Sequence, residues 1–165
     1  MKRVFLFLVF TAIAVTGGGA QEKAKNTITG GLDLGIWTGF SVDYERVLFD
    51  GFLGKGQFAL GVEAGQDTLL IFPANFFDVQ AKWYPWSGKF YADLGLGYAH
   101  LWIVPATMIT GGVGWKIDVG KPNGFVLDFG ATFDYFASIS EFDESEFDEL
   151  VSANIRAKAQ IGYSW

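Results

Sequence analysis

The chain has 165 residues, half of them apolar and 18% aromatic, with 22 glycines, no cysteine and a net charge of −6. Lack of cysteine excludes disulfides, thiolate metal sites and a cysteine nucleophile, and an acidic chain with no basic face excludes nucleic acid as a partner. The length suits one domain, while the aromatic and glycine content exceeds that of an ordinary soluble domain.

In chain order, Met1-Lys2-Arg3 is a short basic start, residues 4–15 are almost wholly apolar, and Thr16-Gly17-Gly18-Gly19-Ala20 is a run of small residues. This pattern predicts a secretory signal over 1–20, cleaved after Ala20. The apolar run is shorter than the roughly 20 residues a membrane-spanning helix needs. No cysteine follows it, which excludes a lipoprotein anchor. Loss of Lys2 and Arg3 takes the net charge from −6 to −8. Residues 21–26 form a short polar lead, and 27–165 the folded domain.

Eight segments then alternate apolar and polar residues, the period-two signature of strands with one greasy and one wet face. Residues 28–36 set Leu32, Leu34 and Ile36 against Asp33 and Gly35. Residues 39–48 set Phe40, Val42 and Tyr44 against Ser41, Asp43 and Glu45. Residues 57–65 oppose Phe58, Leu60, Val62 and Ala64 to Gly61 and Glu63. Residues 75–84 oppose Phe77, Val79, Ala81 and Trp83 to Asp78, Gln80 and Lys82. In 89–99 the apolar set is Phe90, Ala92, Leu94, Leu96 and Tyr98, facing away from Asp93, Gly95 and Gly97. In 107–119 it is Val113, Trp115, Ile117 and Val119, away from Gly112, Gly114, Lys116 and Asp118. In 125–136 it is Leu127, Phe129, Ala131, Phe133 and Tyr135, away from Asp128, Gly130, Thr132 and Asp134. The last segment, 155–165, sets Ile155, Ala157, Ala159, Ile161, Tyr163 and Trp165 against Arg156, Lys158, Gln160, Gly162 and Ser164.

Turn sequences separate these segments. Residues 50–56, Pro85-Trp86-Ser87-Gly88 and 120–124 are short and fall at one end of the predicted sheet. Residues 37–39, 66–74, 100–106 and 138–153 fall at the other, the last being the longest. Aromatic residues gather at two heights. Trp83, Trp86, Phe90, Trp115, Tyr163 and Trp165 form one predicted girdle, and Trp37, Phe72, Phe76, Tyr98, Trp102 and Tyr135 the other. Amphipathic rings settle at membrane interfaces, which gives such belts a physical cause.

The closing segment, ending in an aromatic residue on its apolar face, resembles the last strand of bacterial outer-membrane β-barrels. Together with the signal and the eightfold alternation, it makes 27–165 similar to the small OmpA/OmpX-type barrels. Val42-Asp43-Tyr44-Glu45-Arg46 and Gly95-Leu96-Gly97 resemble stretches of widespread small barrels of this kind. The resemblance implies an all-β, closed, antiparallel up-and-down transmembrane barrel of about eight strands. It also implies residence in the bacterial cell outer membrane, with its lipid as a partner. Ile161, Tyr163 and Trp165 would be the signal read by the barrel-assembly machinery. Closure is also what a lipid solvent demands, because every backbone donor and acceptor must be met within the chain.

With the apolar faces outward, the inward faces carry Asp33, Asp43, Glu45, Glu63, Asp78, Asp93, Asp118, Asp128 and Asp134 against Lys82, Lys116, Arg156 and Lys158. Buried charges must pair, so a lumen plugged by ion pairs is expected, with Arg156 and Lys158 meeting Asp33 and neighbouring carboxylates. The excess of acids keeps a narrow cation-preferring channel as an alternative. The predicted outer connection holds six acids within nine residues: Glu141, Asp143, Glu144, Glu146, Asp148 and Glu149. It reads as a solvated loop or as a contact for an extracellular basic partner or divalent cations, but lacks the glycine and spacing of a calcium loop. His100 is the only histidine. The outer-membrane lipid A deacylases of this size carry His-x-Ser, and here Trp102 stands in the serine's place. Alternation also sends His100 outward, and nothing selects Ser138, Ser140 or Ser145 as a nucleophile. A lipid-modifying enzyme is therefore the lesser alternative, and no catalytic residue is assigned. Gly95-Leu96-Gly97 is followed by no helix, so it is not a nucleotide loop, and no cofactor is expected. The inward glycines are expected to make room for large neighbours such as lysine and arginine.

Overall fold

The computed structural model describes residues 26–53, 56–69, 72–85, 89–101, 104–120, 123–138 and 153–165. The predicted signal, the lead up to residue 25, Trp86, Trp102 and the acidic stretch 141–149 lie outside the described residues.

Among the described residues the protein is all-β. Eight strands follow one another: β1 (Asn26–Gly35), β2 (Thr38–Phe52), β3 (Gly56–Leu69), β4 (Phe72–Tyr84), β5 (Phe90–Leu101), β6 (Val104–Val119), β7 (Phe125–Ser138) and β8 (Ala153–Ser164). Each pairs antiparallel with the next, and β8 pairs with β1, which closes the ring. Asn26 and Trp165 seal the seam by exchanging two backbone hydrogen bonds of 3.0 Å. From Asn26 the register runs through Arg46, Leu60, Ala81, Leu94, Gly111, Phe133 and Ile155. It returns just past the last β1–β8 pair, Gly35 with Arg156, about ten residues along from its start. That stagger tilts the strands, and eight tilted strands leave an interior just wide enough for side chains to fill.

The strands are longer than alternation predicts. Most of the predicted 66–74 connection is strand, because Asp67 and Ala74 keep the inward phase of Glu63 and Asp78 and pair with each other. β2 likewise continues beyond Leu48 through two register shifts, one between Val47 and Phe49 and one between Asp50 and Phe52. Bulges of this kind bend and twist a ribbon. They end in a hairpin where Gly51 and Leu53 both take positive φ, 81° and 49°. Among the described residues Leu53 is the only non-glycine there, a conformation that costs an L residue energy.

Alternation sorts polarity as the sequence predicts. The outer wall is apolar and open: Leu32, Leu94, Leu96, Ile155 and Ile161 are each 58–66% exposed, while Arg156, Glu63, Asp33 and Asp78 on the inner wall are 0% exposed. Two small apolar clusters of buried residues lie within the ring among the described residues. Trp37, Phe76, Met108 and Phe136 lie with Ala74, Ala99 and Ala106 toward the end opposite the termini. Ala59, Tyr84 and Tyr91 lie with Val47 toward the termini.

Candidate functional site

Among the described residues, chemistry is concentrated in the interior. Toward the termini, Lys82 on β4 pairs with Asp43 and stands 3.4 Å from Glu45. Lys116 on β6 lies 2.8 Å from Glu45 and 3.9 Å from Asp128. Tyr84 Oη donates to Glu45 at 2.6 Å and accepts from Lys116 at 3.0 Å, while Tyr91 Oη donates to Asp128 at 2.9 Å. Lys82 also sits 5.3 Å from the Tyr91 ring centroid, and Lys116 5.5 Å from that of Tyr84. The two ammonium groups are thus enclosed by carboxylates and by aromatic faces, both of which attract cations.

Nearer the opposite end, Arg156 on β8 is the hub. Its Nε and Nη2 donate to the two oxygens of Asp134 at 2.6 and 3.0 Å. Its Nη1 reaches Asp33 at 3.4 Å, Glu63 at 3.7 Å and Asp67 at 3.9 Å. The guanidinium lies 4.3 Å over the centroid of the Phe76 ring. Lys158 bonds Glu63 across the lumen, and Gln80 Nε2 donates to the same Glu63 oxygen at 2.6 Å. Gln160 links Thr29 and Ser41 at 2.7 and 2.8 Å. Above the hub the Trp37 and Phe136 rings stack with centroids 5.3 Å apart and planes 9° from parallel.

This placement refines several expectations. Arg156 does reach Asp33, but its two-pronged partner is Asp134 on the neighbouring strand. Lys158 faces Asp33 in the ladder, yet its ammonium goes to Glu63. Asp78 and Asp93 are inside without an ion pair among the described residues. Asp118 shares the inward phase of Lys116 but is exposed at the end of β6, so it is not part of the buried network. Trp37 and Phe76 are not girdle residues. Two and four positions beyond inward Gly35 and Asp33, or two before inward Asp78, the same phase carries them into the lumen, where each is under 8% exposed.

Sequence reasoning missed Asp67, Tyr84 and Tyr91 as network members. All three lie on inward phases, which is the signal that finds them. The inward glycines make room for rings as well as for basic side chains. A Cβ at Gly114 would collide with Tyr91, one at Gly65 with Phe76, and one at Gly61 would come within 3.3 Å of Lys82 Cε. A ring laid over a strand glycine covers backbone that would otherwise be bare.

On the outside, Tyr163, Trp165, Trp115 and Trp83 are exposed near the termini, with Tyr98 and Tyr135 toward the other end. Tyr163 and Trp165 stack at 6.5 Å, and Trp165 also meets Tyr44 at 6.5 Å. Phe49, Phe52 and Phe58 of the bulged β2–β3 hairpin extend the same belt. His100 lies exposed on the outward phase of β5, opposite Pro105 and Asn75.

Known proteins offer no guide. The chain matches no protein-family model, no curated protein and no solved structure.

Proposed function

We propose that the protein is an integral β-barrel of a bacterial outer membrane. Its lumen is filled by internal ion pairs, and it acts through a structural or surface-interaction role of the connections at the end opposite its termini. The observation that carries this reading is the inverted polarity of the wall. Ionisable side chains are buried within, and leucines, isoleucines and phenylalanines project outward around the ring. Soluble monomers rarely expose contiguous apolar patches beyond a few hundred Å². In a bilayer the same surface is solvated by acyl chains, and a closed ring leaves no unpaired strand edge in the hydrocarbon.

The aromatic belt at the termini suits a headgroup layer. In this reading the termini face the periplasm, and Ile161, Tyr163 and Trp165 on the outer wall of β8 serve as the handle for the barrel-assembly machinery. A basic partner or divalent cations are then the expected contacts of the connection between β7 and β8, whose sequence carries the acids of 141–149. A filled lumen favours this role over conduction. The test is refolding into lipid vesicles, followed by flotation and planar-bilayer recording. Co-flotation with lipid and a silent bilayer are expected. Protein left in the aqueous fraction would overturn the membrane reading, and stepwise currents would overturn the filled lumen.

A further inference from the structure

The tip of the β2–β3 hairpin carries a residue that both its backbone and its surroundings disfavour. Leu53 has a φ of 49°, a left-handed conformation that glycine or asparagine adopts at lower cost. Its side chain is 76% exposed, the most open of the large apolar residues among the described ones. Glycine would relieve the backbone, as Gly51 does two positions earlier at a φ of 81°, and a polar residue would relieve the exposure. The β6–β7 turn at the same end has the ordinary arrangement, with positive φ at Gly120 and an exposed Asp118. A strained residue with no compensating contact inside the molecule points to a use outside it.

The hairpin also projects. β1 meets β2 only as far as the pair Asn26–Arg46, level with the seam between Asn26 and Trp165. Beyond Arg46, β2 continues to Phe52, paired among the described residues with β3 alone. Its two register shifts fall in this stretch and bend it. Phe49 and Phe52 are exposed there, and their rings centre 6.1 and 5.3 Å from that of Phe58. Turns that meet water favour glycine, asparagine, aspartate and serine. This one presents two phenylalanines and a leucine.

What covers such a knob must be apolar and must receive a protrusion. Three side chains fall well short of the roughly 800 Å² per partner of a standard protein–protein interface, which disfavours a second copy or a soluble protein. The boundary between lipid headgroups and acyl chains takes apolar and aromatic side chains singly. The knob is continuous with the outward aromatic belt of Trp83, Trp115, Tyr163 and Trp165 at the same end. We propose that the β2–β3 hairpin is a lipid-binding foot: Leu53, with Phe49 and Phe52, enters the headgroup–acyl boundary of the leaflet nearest the termini and sets the depth of the barrel on that side. The foot presupposes the membrane setting proposed above, so its test carries a separate control for that setting.

The chain has no cysteine, so Leu53→Cys offers a single thiol for an environment-sensitive dye. Leu96→Cys on the mid-height outer wall and Asp118→Cys at the exposed rim are labelled in the same way. Each is refolded into phosphatidylcholine vesicles whose acyl chains carry a nitroxide near the headgroup or near the chain end, and each is also titrated with aqueous iodide. The dye at 53 is expected to be quenched best by the shallow nitroxide and to be several-fold less open to iodide than the dye at 118. If the dye at 96 meets the deep nitroxide while the dye at 53 is as open to iodide as that at 118, the foot is overturned and the membrane reading stands. If the dye at 96 is also open to iodide, both fall. A label-free variant guards against misfolding: Leu53→Gly suits the backbone, so it should refold in detergent as well as wild type, yet enter preformed vesicles several-fold more slowly. Entry at the wild-type rate would overturn the foot.

Discussion

The Arg156 guanidinium is clamped by Asp134 on one side and lies 4.3 Å over the Phe76 ring on the other. Three further carboxylates, Asp33, Glu63 and Asp67, lie within 3.9 Å of its Nη1. Breaking a buried pair by removing one partner costs about 3–5 kcal/mol, because the other charge stays behind. Arg156→Met keeps much of the volume and strands Asp33, Asp67 and Asp134, while Glu63 keeps Lys158, so a loss of at least that size is expected in denaturant unfolding from lipid vesicles. Phe76→Leu, which leaves the charges matched, should cost less. Equal losses for the two variants would show that the hub is held by packing rather than by charge.

The outer wall gives the cleanest test of what surrounds the barrel. Leu96, 61% exposed at mid-strand, faces outward. Arginine on the lipid face costs about 2–4 kcal/mol at the bilayer midplane, whereas a substitution on a water-facing surface stays within about 0.5 kcal/mol. Leu96→Arg is expected to show the larger penalty in vesicle unfolding titrations. A near-neutral value would mean that this wall does not meet hydrocarbon.

Gly114 and Tyr91 form a matched pair, the ring resting where a Cβ would be. Overpacking of this kind costs about 1–3 kcal/mol, so Gly114→Ala should lose that much stability. Tyr91→Leu should lose stability too, through its bond to Asp128. Combined, the two should cost clearly less than their sum, because the smaller side chain vacates the space. Additive losses in this double-mutant cycle would show that the contact does not determine the glycine.

Trp165 lies on the outer wall beside Tyr163 and Tyr44. If the assembly machinery reads this end of the chain, Trp165→Ser should lower the yield in the membrane fraction more than deletion of residues 141–149 does. Equal yields would count against the assembly role.

Much of this architecture is legible in the sequence because outward-facing and inward-facing residues differ in kind. Leu32, Asp33 and Leu34 suffice to tell the two walls of β1 apart. What alternation does not carry is height and distance around the ring. Asp118 has the inward phase of Lys116 but stands past the rim, where water replaces the wall. Trp37 sits at a turn, where an aromatic residue suggests an interface; only its phase, shared with Asp33, puts it over the hub. The bond from Lys158 on β8 to Glu63 on β3 depends on curvature and stagger, which no single strand encodes. Tyr91 and Gly114 meet for the same reason: their cross-strand pairing follows from register.

The reciprocal bonds between Asn26 and Trp165 bear on how the molecule comes into being. The seam joins β1 to β8, so a growing polypeptide cannot circularise until β8 has been made. Up to that moment β1 offers an unsatisfied edge, and such edges invite aggregation. Joining ends so far apart in sequence is also kinetically demanding. Once shut, the seam leaves no strand free to depart without rupturing two ladders, so disassembly is expected to be all-or-none, and long-lived once completed.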